Sequence, residues 1–216
     1  MSLLHFLLDL LYPPKCPFCG RILERDEEGW CASCQDELPW TEPRDAKAVE
    51  SCDTCLSPLW YKDNVRKAMH RYKFEGGWVH AKLFGQLMAQ CLQDRWMERV
   101  DLITWAPLHS KRKRERGYDQ AELLAQRVGE LTDAPVENTL EKIRATAVQS
   151  QSGEDEARKA NVQGAYQALP DLDLTGKHIV LIDDVATSGA TLAECASALR
   201  QAGASVVVGL TFARAR

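Results

Sequence analysis

The chain has 216 residues, enough for one α/β domain with a small appendage and too few for a large multidomain assembly. Hydrophobic residues make up 45% and the formal net charge is −4, which supports a packed core and excludes polyanion binding driven by net charge alone. No apolar run approaches the ~20 residues that cross a bilayer, so no transmembrane segment is expected.

Ser2 to Tyr12 carries Leu3, Leu4, Phe6, Leu7, Leu8, Leu10 and Leu11. It lacks the basic start and small-residue cleavage site of a signal peptide. It reads as a short amphipathic helix packed on the protein, with peripheral membrane contact as the alternative. Of eight cysteines, six form three Cys-x-x-Cys pairs: Cys16/Cys19, Cys31/Cys34 and Cys52/Cys55. Such pairs point to metal ligands in a reducing, cytoplasmic setting rather than to a disulfide framework. Cys16, Cys19, Cys31 and Cys34 supply four thiolates, the donor set of a closed, structural Zn2+ site. A module this small has almost no apolar core, so metal binding is expected to supply much of its folding energy. The spacing also permits a set that uses Cys52 and Cys55, with His70 or His80 completing a second site. Cys91 and Cys195 stand alone in helical patterns and read as small buried apolar residues.

Pro58 to Asn64 is a plausible boundary, dividing the chain into residues 1–60 and 61–216. Val65 to Phe74 reads as a helix or helix-to-loop entry, broken by Gly76-Gly77. Trp78 to Trp96 places Leu83, Leu87, Cys91 and Leu92 at helical spacing. Asp101 to Pro107 is a strand that leads into the basic run Lys111-Arg112-Lys113-Arg114-Glu115-Arg116, read as a loop, and then to a helix carrying Ala121, Leu124, Val128 and Leu131. A basic loop after a strand suits phosphate; the alternatives are a solvated charge run or a nucleic-acid patch. Arg144 to Tyr166 is polar and reads as a surface loop.

His178 to Thr191 is the most informative stretch. Ile179, Val180, Leu181 and Ile182 form the apolar run of a strand buried on both faces, and Leu192, Cys195, Ala196 and Leu199 mark a following helix. Between them come Asp183, Asp184, Val185 and Ala186, then Thr187, Ser188, Gly189, Ala190 and Thr191. The small-residue loop at a helix N-terminus suits a phosphate, and the two acids sit where a strand's carboxyl end delivers side chains into the ligand crevice of an open α/β sheet. The alternative is a nucleotide-free βα turn with a capping Ser or Thr; a Walker-type loop ranks below that, because no lysine follows Gly189. Val206 to Phe212 is the last strand.

The Asp183–Thr191 stretch resembles the signature with which type I phosphoribosyltransferases bind phosphoribosyl pyrophosphate (PRPP). The cysteine pairs, the segment at Lys73-Phe74 with its glycines, the run from Pro107 to Gln120, and Arg158-x-x-Asn161-x-x-Gly164-Ala165-Tyr166 together resemble the ComF/GntX family, over nearly the whole chain. The resemblance implies a mostly parallel sheet flanked by helices, of the phosphoribosyltransferase type, behind a cysteine-rich double zinc ribbon. It implies that Asp183 and Asp184 contact the ribose and that residues Val185 to Thr191 complete the PRPP site. Lys111, Arg112, Arg114 and Arg116 would receive pyrophosphate, with Mg2+ as cofactor, and the polar loop would cover the substrate. It also implies a link to natural competence, with single-stranded DNA and competence proteins as partners. Two departures stand out: Asp119 replaces the family's usual Asn, and the apolar residue that normally follows the Gln/Ser run is missing. Besides a transferase, the same residues allow a non-catalytic nucleotide or DNA-binding module, with Trp78, Trp96 and Trp105 as stacking candidates.

Overall fold

The computed structural model describes residues 13–144 and 162–216. The leucine-rich N-terminal run and the polar stretch from 145 to 161, including Arg158 and Asn161, lie outside the described residues.

A parallel sheet forms the centre. Its strands are β1 (Thr54–Leu56), β2 (Leu59–Trp60), β3 (Leu102–Trp105), β6 (His178–Ala186) and β7 (Val206–Arg214), in the order β1-β7-β6-β3, with β2 also paired to β7. β1 and β2 keep one register against β7, Thr54 opposite Val208 and Leu59 opposite Ala213. They are one edge strand interrupted at Pro58, which has no N–H to give the ladder. A short antiparallel pair, β4 (Leu140–Lys142) and β5 (Tyr166–Ala168), stands apart from this sheet.

Among the described residues six helices accompany these strands: α1 (Ala32–Glu37), α2 (Asp63–Phe74), α3 (Ala81–Arg95), α4 (Ser110–Arg116), α5 (Gln120–Thr132) and α6 (Ala190–Gln201). The helical pattern expected from Trp78 to Trp96 is divided: Gly77–His80 forms a 3-10 turn and the α-helix begins at Ala81.

The two faces of the sheet build two cores, as the period-2 alternation of a strand requires. Val180 and Ile182 of β6, with Val208, Leu210 and Phe212 of β7, face α2, α3 and α5. Ile179 and Leu181, with Val207, face α6 and the β4–β5 pair. The cysteine module joins the first core. Phe18 is fully buried, 6.0 Å from the ring of Phe84 and 6.4 Å from that of Phe212. The expectation of a module nearly devoid of apolar packing is therefore corrected: the knuckle inserts its aromatic residue into the core of the body. Arg71 of α2 fastens it from the side, donating to the carbonyls of Pro17 (2.8 Å) and Phe18 (3.1 Å).

Candidate substrate site at the carboxyl edge of the sheet

The same alternation that builds two cores sends the adjacent acids of β6 in opposite directions. Asp184 continues the row of Ile182 and meets α2, where its Oδ1 accepts a charge-assisted bond from Lys73 Nζ at 2.8 Å. Asp183 continues the row of Leu181 toward α6 and β4. Its Oδ1 accepts the backbone N–H of Asp184 at 2.7 Å. Burial, and secondarily the charge of Asp184, lift the Asp183 carboxyl to about 7, against the pull of Lys73 and Lys142.

Each acid thus has a lysine on its own side of the sheet. On the α2 side, Lys73 is held above its ordinary value: burial opposes its charge, and the carboxylates of Asp184 and Asp183 outweigh burial. On the α6 side, Lys142 of β4 donates to the Tyr166 hydroxyl at 2.8 Å and lies 4.7 Å from that ring's centre. Burial and the nearby Arg112 lower Lys142, while Asp183 supports its charge. The Tyr166 hydroxyl is raised, first by burial, and it also bonds Thr191 in the first turn of α6. The β4–β5 pair is thereby tied to the candidate phosphate loop.

That loop turns at Gly189, whose φ of +83° is the left-handed conformation an L side chain resists. An added Cβ would also approach Val49 Cγ2 to 3.0 Å. Ser188 Oγ accepts from Ala190 N at 3.4 Å, and Lys47 donates to the Thr187 carbonyl. Thr187 and Ser188 are half-buried, and Ala190 opens the 12-residue helix α6. The loop offers hydroxyls and amides at the positive end of a helix dipole, an anion-binding arrangement.

The basic run is not a loop. It is the helix α4, capped by His109, whose ring accepts from Lys111 N, and closed by Gly117 at φ +80°. Consecutive Lys and Arg are good helix formers, and this propensity decides the local structure. The helix divides the cations. Lys113 pairs with Glu122 at 2.6 Å, and Arg116 binds Gln120 Oε1 at 2.7 Å while stacking 4.9 Å from the centre of the Phe74 ring. Lys111 and Arg114 are exposed, and Arg112 is the member whose field reaches Lys142.

Asp119 is buried and caps α5, accepting from Ala121 N (3.1 Å), Glu122 N (3.4 Å) and Leu108 N (2.7 Å). All its partners are N–H donors, which is why a carboxylate serves where an amide is usual. Burial raises it and those donors oppose the rise.

In the knuckle that Arg71 fastens, the sulfurs of Cys16, Cys19, Cys31 and Cys34 lie within 4.8 Å of one another, with Cys19 and Cys31 3.6 Å apart. A tetrahedral site with Zn–S bonds of about 2.3 Å sets its sulfurs about 3.8 Å apart, so this donor set fits Zn2+. Cys52 and Cys55 stand outside the group. Cys55 lies in β1, fully buried against Gly209 and Leu192. Burial pushes both thiols up to about 12. His70 pairs with Glu75 and His80 lies against Phe84. Neither joins a metal-ligating group among the described residues.

The tryptophans separate equally clearly. Trp105 is buried in β3 and Trp96 is half-buried against the core. Trp78 is 59% exposed and Phe74 is 61% exposed. Sequence reasoning did not assign Lys47, Lys142 or Tyr166 to the site. Lys73 entered only as part of a resemblance, because nothing local signals that a lysine reaches an acid 111 positions away.

Among the described residues no helix is long and apolar enough to cross a membrane. A double zinc ribbon domain model matches residues 7–64, and a phosphoribosyl transferase domain model matches residues 114–215. The chain is 30% identical to the DNA utilization protein YhgH of Salmonella typhimurium over 207 residues, covering 89% of this chain and 86% of that protein. It is 25% identical to competence protein F of Haemophilus influenzae over 224 residues, covering 93% and 97%. With competence protein ComFC of Bacillus subtilis it shares 27% over 198 residues, covering 89% and 74%. A zinc-ribbon cluster ahead of a phosphoribosyltransferase-type sheet, and likeness to these relatives along nearly the whole chain, place this protein in the ComF family.

Proposed function

We propose that the carboxyl edge of the sheet binds PRPP and supports Mg2+-dependent transfer of its phosphoribosyl group, in a protein serving DNA uptake. The carrying observation is the splayed pair Asp183–Asp184 beside the loop that opens α6, with Lys73 held against Asp184 at 2.8 Å. In this reading the two carboxylates accept hydrogen bonds from the ribose hydroxyls. The amides and hydroxyls of residues 187–191 hold the 5′-phosphate, fixing the reacting carbon through remote binding energy. When the ribose engages Asp184, Lys73 is released toward the leaving pyrophosphate. Arg112 and the exposed Lys111 and Arg114 add fixed positive charge, with Arg116 behind them. The all-oxygen donors of Asp183 and Asp184 suit a hard cation, and Mg2+ when bound supplies further neutralisation of the departing charge. A nucleophile then forms its bond to C1′ as the bond to pyrophosphate breaks.

A second reading has its own observation. Phe74 is exposed beside the basic helix α4, where Arg116 stacks on its ring, and Trp78 is exposed as well. Exposed rings with clustered cations are the elements of single-stranded nucleic-acid binding.

One experiment separates the two. Calorimetric titration of the zinc-loaded protein with PRPP and Mg2+ should give micromolar binding that is lost in the Asp183→Asn/Asp184→Asn double variant. A short single-stranded oligonucleotide serves as the parallel titrant. Absence of PRPP binding, with salt-dependent oligonucleotide binding abolished by changing Arg112, Arg114 and Arg116 to Glu, would replace the transferase reading with the second.

A further inference from the structure

Arg214 closes β7 directly opposite Trp60 of β2 in the sheet register. It comes two residues after Phe212 in the alternation of β7. Its guanidinium carbon lies 4.3 Å from the centre of the Trp60 ring, and that of Arg216 lies 5.6 Å from the same ring. Arg214 is only 7% exposed. Its buried Nε has no hydrogen-bond partner, and no acceptor or ion pair reaches its guanidinium among the described residues.

The surroundings do not supply the missing anion. Asp45 favours the Arg214 charge from a distance, but its Oδ2 accepts Glu42 N at 2.7 Å and it forms no ion pair with Arg214. Arg95 repels Arg214 and spends its own donors on Thr41 and Ser57. Burial, the largest influence, lowers Arg214 from its ordinary value. An arginine remains charged at any physiological pH. A buried guanidinium N–H without an acceptor is costly, and stacking on one indole offsets only part of that cost.

The position gives the cost a use. Carboxyl ends of parallel strands form the ligand crevice of open α/β sheets. Arg214 pairs across to Ala186, two residues beyond Asp184, and Ala215 N donates to the Ala186 carbonyl at 2.8 Å. We infer that Arg214, backed by Trp60, is an oxyanion subsite that receives a carboxylate or phosphate group of a ligand lying across this edge of the sheet. The planar guanidinium fork matches two oxygens of such a group. This subsite stands on the unpaired guanidinium and not on the PRPP reading.

The test uses the full, zinc-loaded chain with three probes: inorganic phosphate, pyrophosphate, and nicotinate as an aromatic carboxylate. Melting temperature and tryptophan fluorescence are followed in the wild type, Arg214→Met, Arg214→Lys and Asp183→Asn/Asp184→Asn, with Trp60→Phe identifying the Trp60 signal. Without anion, Arg214→Met should melt at or above the wild type, because it removes an uncompensated buried charge. At least one probe should stabilise the wild type by mass action and change Trp60 emission. Its affinity should fall about tenfold or more in Arg214→Met and persist in the Asp183/Asp184 variant. Preference for nicotinate would assign the subsite to a carboxylate; preference for phosphate or pyrophosphate would assign it to a phosphoryl group. Equal stabilisation of wild type and Arg214→Met, or no response to any probe, overturns the subsite. Should Arg214→Met fail to fold, Arg214→Lys decides: it keeps the charge without the fork, and unchanged anion affinity overturns the inference. Loss of PRPP binding with the anion response intact would sink the PRPP reading and leave this one standing.

Discussion

The two faces of the central sheet treat neighbouring acids differently. On the α2 face, Asp184 meets a lysine in a direct ion pair, and the surrounding core is reinforced by the inserted Phe18. On the α6 face, Asp183 is lifted to about 7, and its lysine points instead at a tyrosine. One strand end therefore offers an ion-paired carboxylate and a titrating one. A ligand that engages both must displace a cation on the first face and settle a proton on the second. The α2 face is built for rigidity around charge, the α6 face for adjustment.

The largest effect that would sharpen this contrast lies at Phe18. Truncation to Ala removes a fully buried ring from the α2-face core, at a cost of about 3–5 kcal/mol. Zinc chelation and Phe18→Ala should each lower the melting temperature of the whole protein in one transition, measured by calorimetry. A low-temperature transition confined to the cysteine module, with the body unaffected, would show that the knuckle is an independent unit and break the argument.

Next comes the pH dependence of the α6 face. The Asp183 carboxyl ionises near its ordinary 3.8 when unfolded and at about 7 when folded. Between those values the unfolded chain has shed its proton and the native chain still holds it. Stability from this group therefore falls as pH rises from about 4 to 7, by up to about 1.4 kcal/mol per pH unit, and levels off above 7. Asp183→Asn should flatten that slope in denaturant melts across the window. PRPP affinity of the wild type should rise through pH 6 to 8, because the ribose needs the ionised acceptor. An unchanged stability slope in the variant would place the titrating proton elsewhere.

Much of the α6-face backbone was legible in the sequence, whereas its chemistry was not. The run Ile179–Ile182, the acids, the small-residue loop and the helical spacing from Leu192 to Leu199 are local patterns, and strand, turn and helix follow them. The four close cysteines were equally legible, because metal geometry demands paired thiolates. The strands β1, β4 and β5 are three residues each, too short to display a period, so Cys55 read as a metal candidate and Tyr166 as loop. The basic run read as a loop because its function suggested one; helix propensity settled it. Lys73, Lys142 and Arg214 have no local signature at all. What defines them is an absence or a presence across the sheet: an acid at 2.8 Å, a tyrosine from the next strand, or no acceptor where one is needed.

The smallest effect concerns the ion pair itself. Lys73 and Asp184 are both mostly buried, so removing one partner leaves a desolvated charge, while removing both leaves neither. In a double-mutant cycle, Lys73→Met and Asp184→Asn should each destabilise, and the double variant should recover part of the loss. The expected coupling is on the order of 1 kcal/mol. The same cycle read by PRPP binding should behave differently, since the ligand needs Asp184 for its hydroxyls and Lys73 for its anionic end: the two losses should accumulate, without recovery. Coupling in stability with accumulation in binding is the signature of a pair that holds the empty site together and separates when it fills. Recovery in both would mean that the pair is only structural, and that the α2 face takes no part in the chemistry.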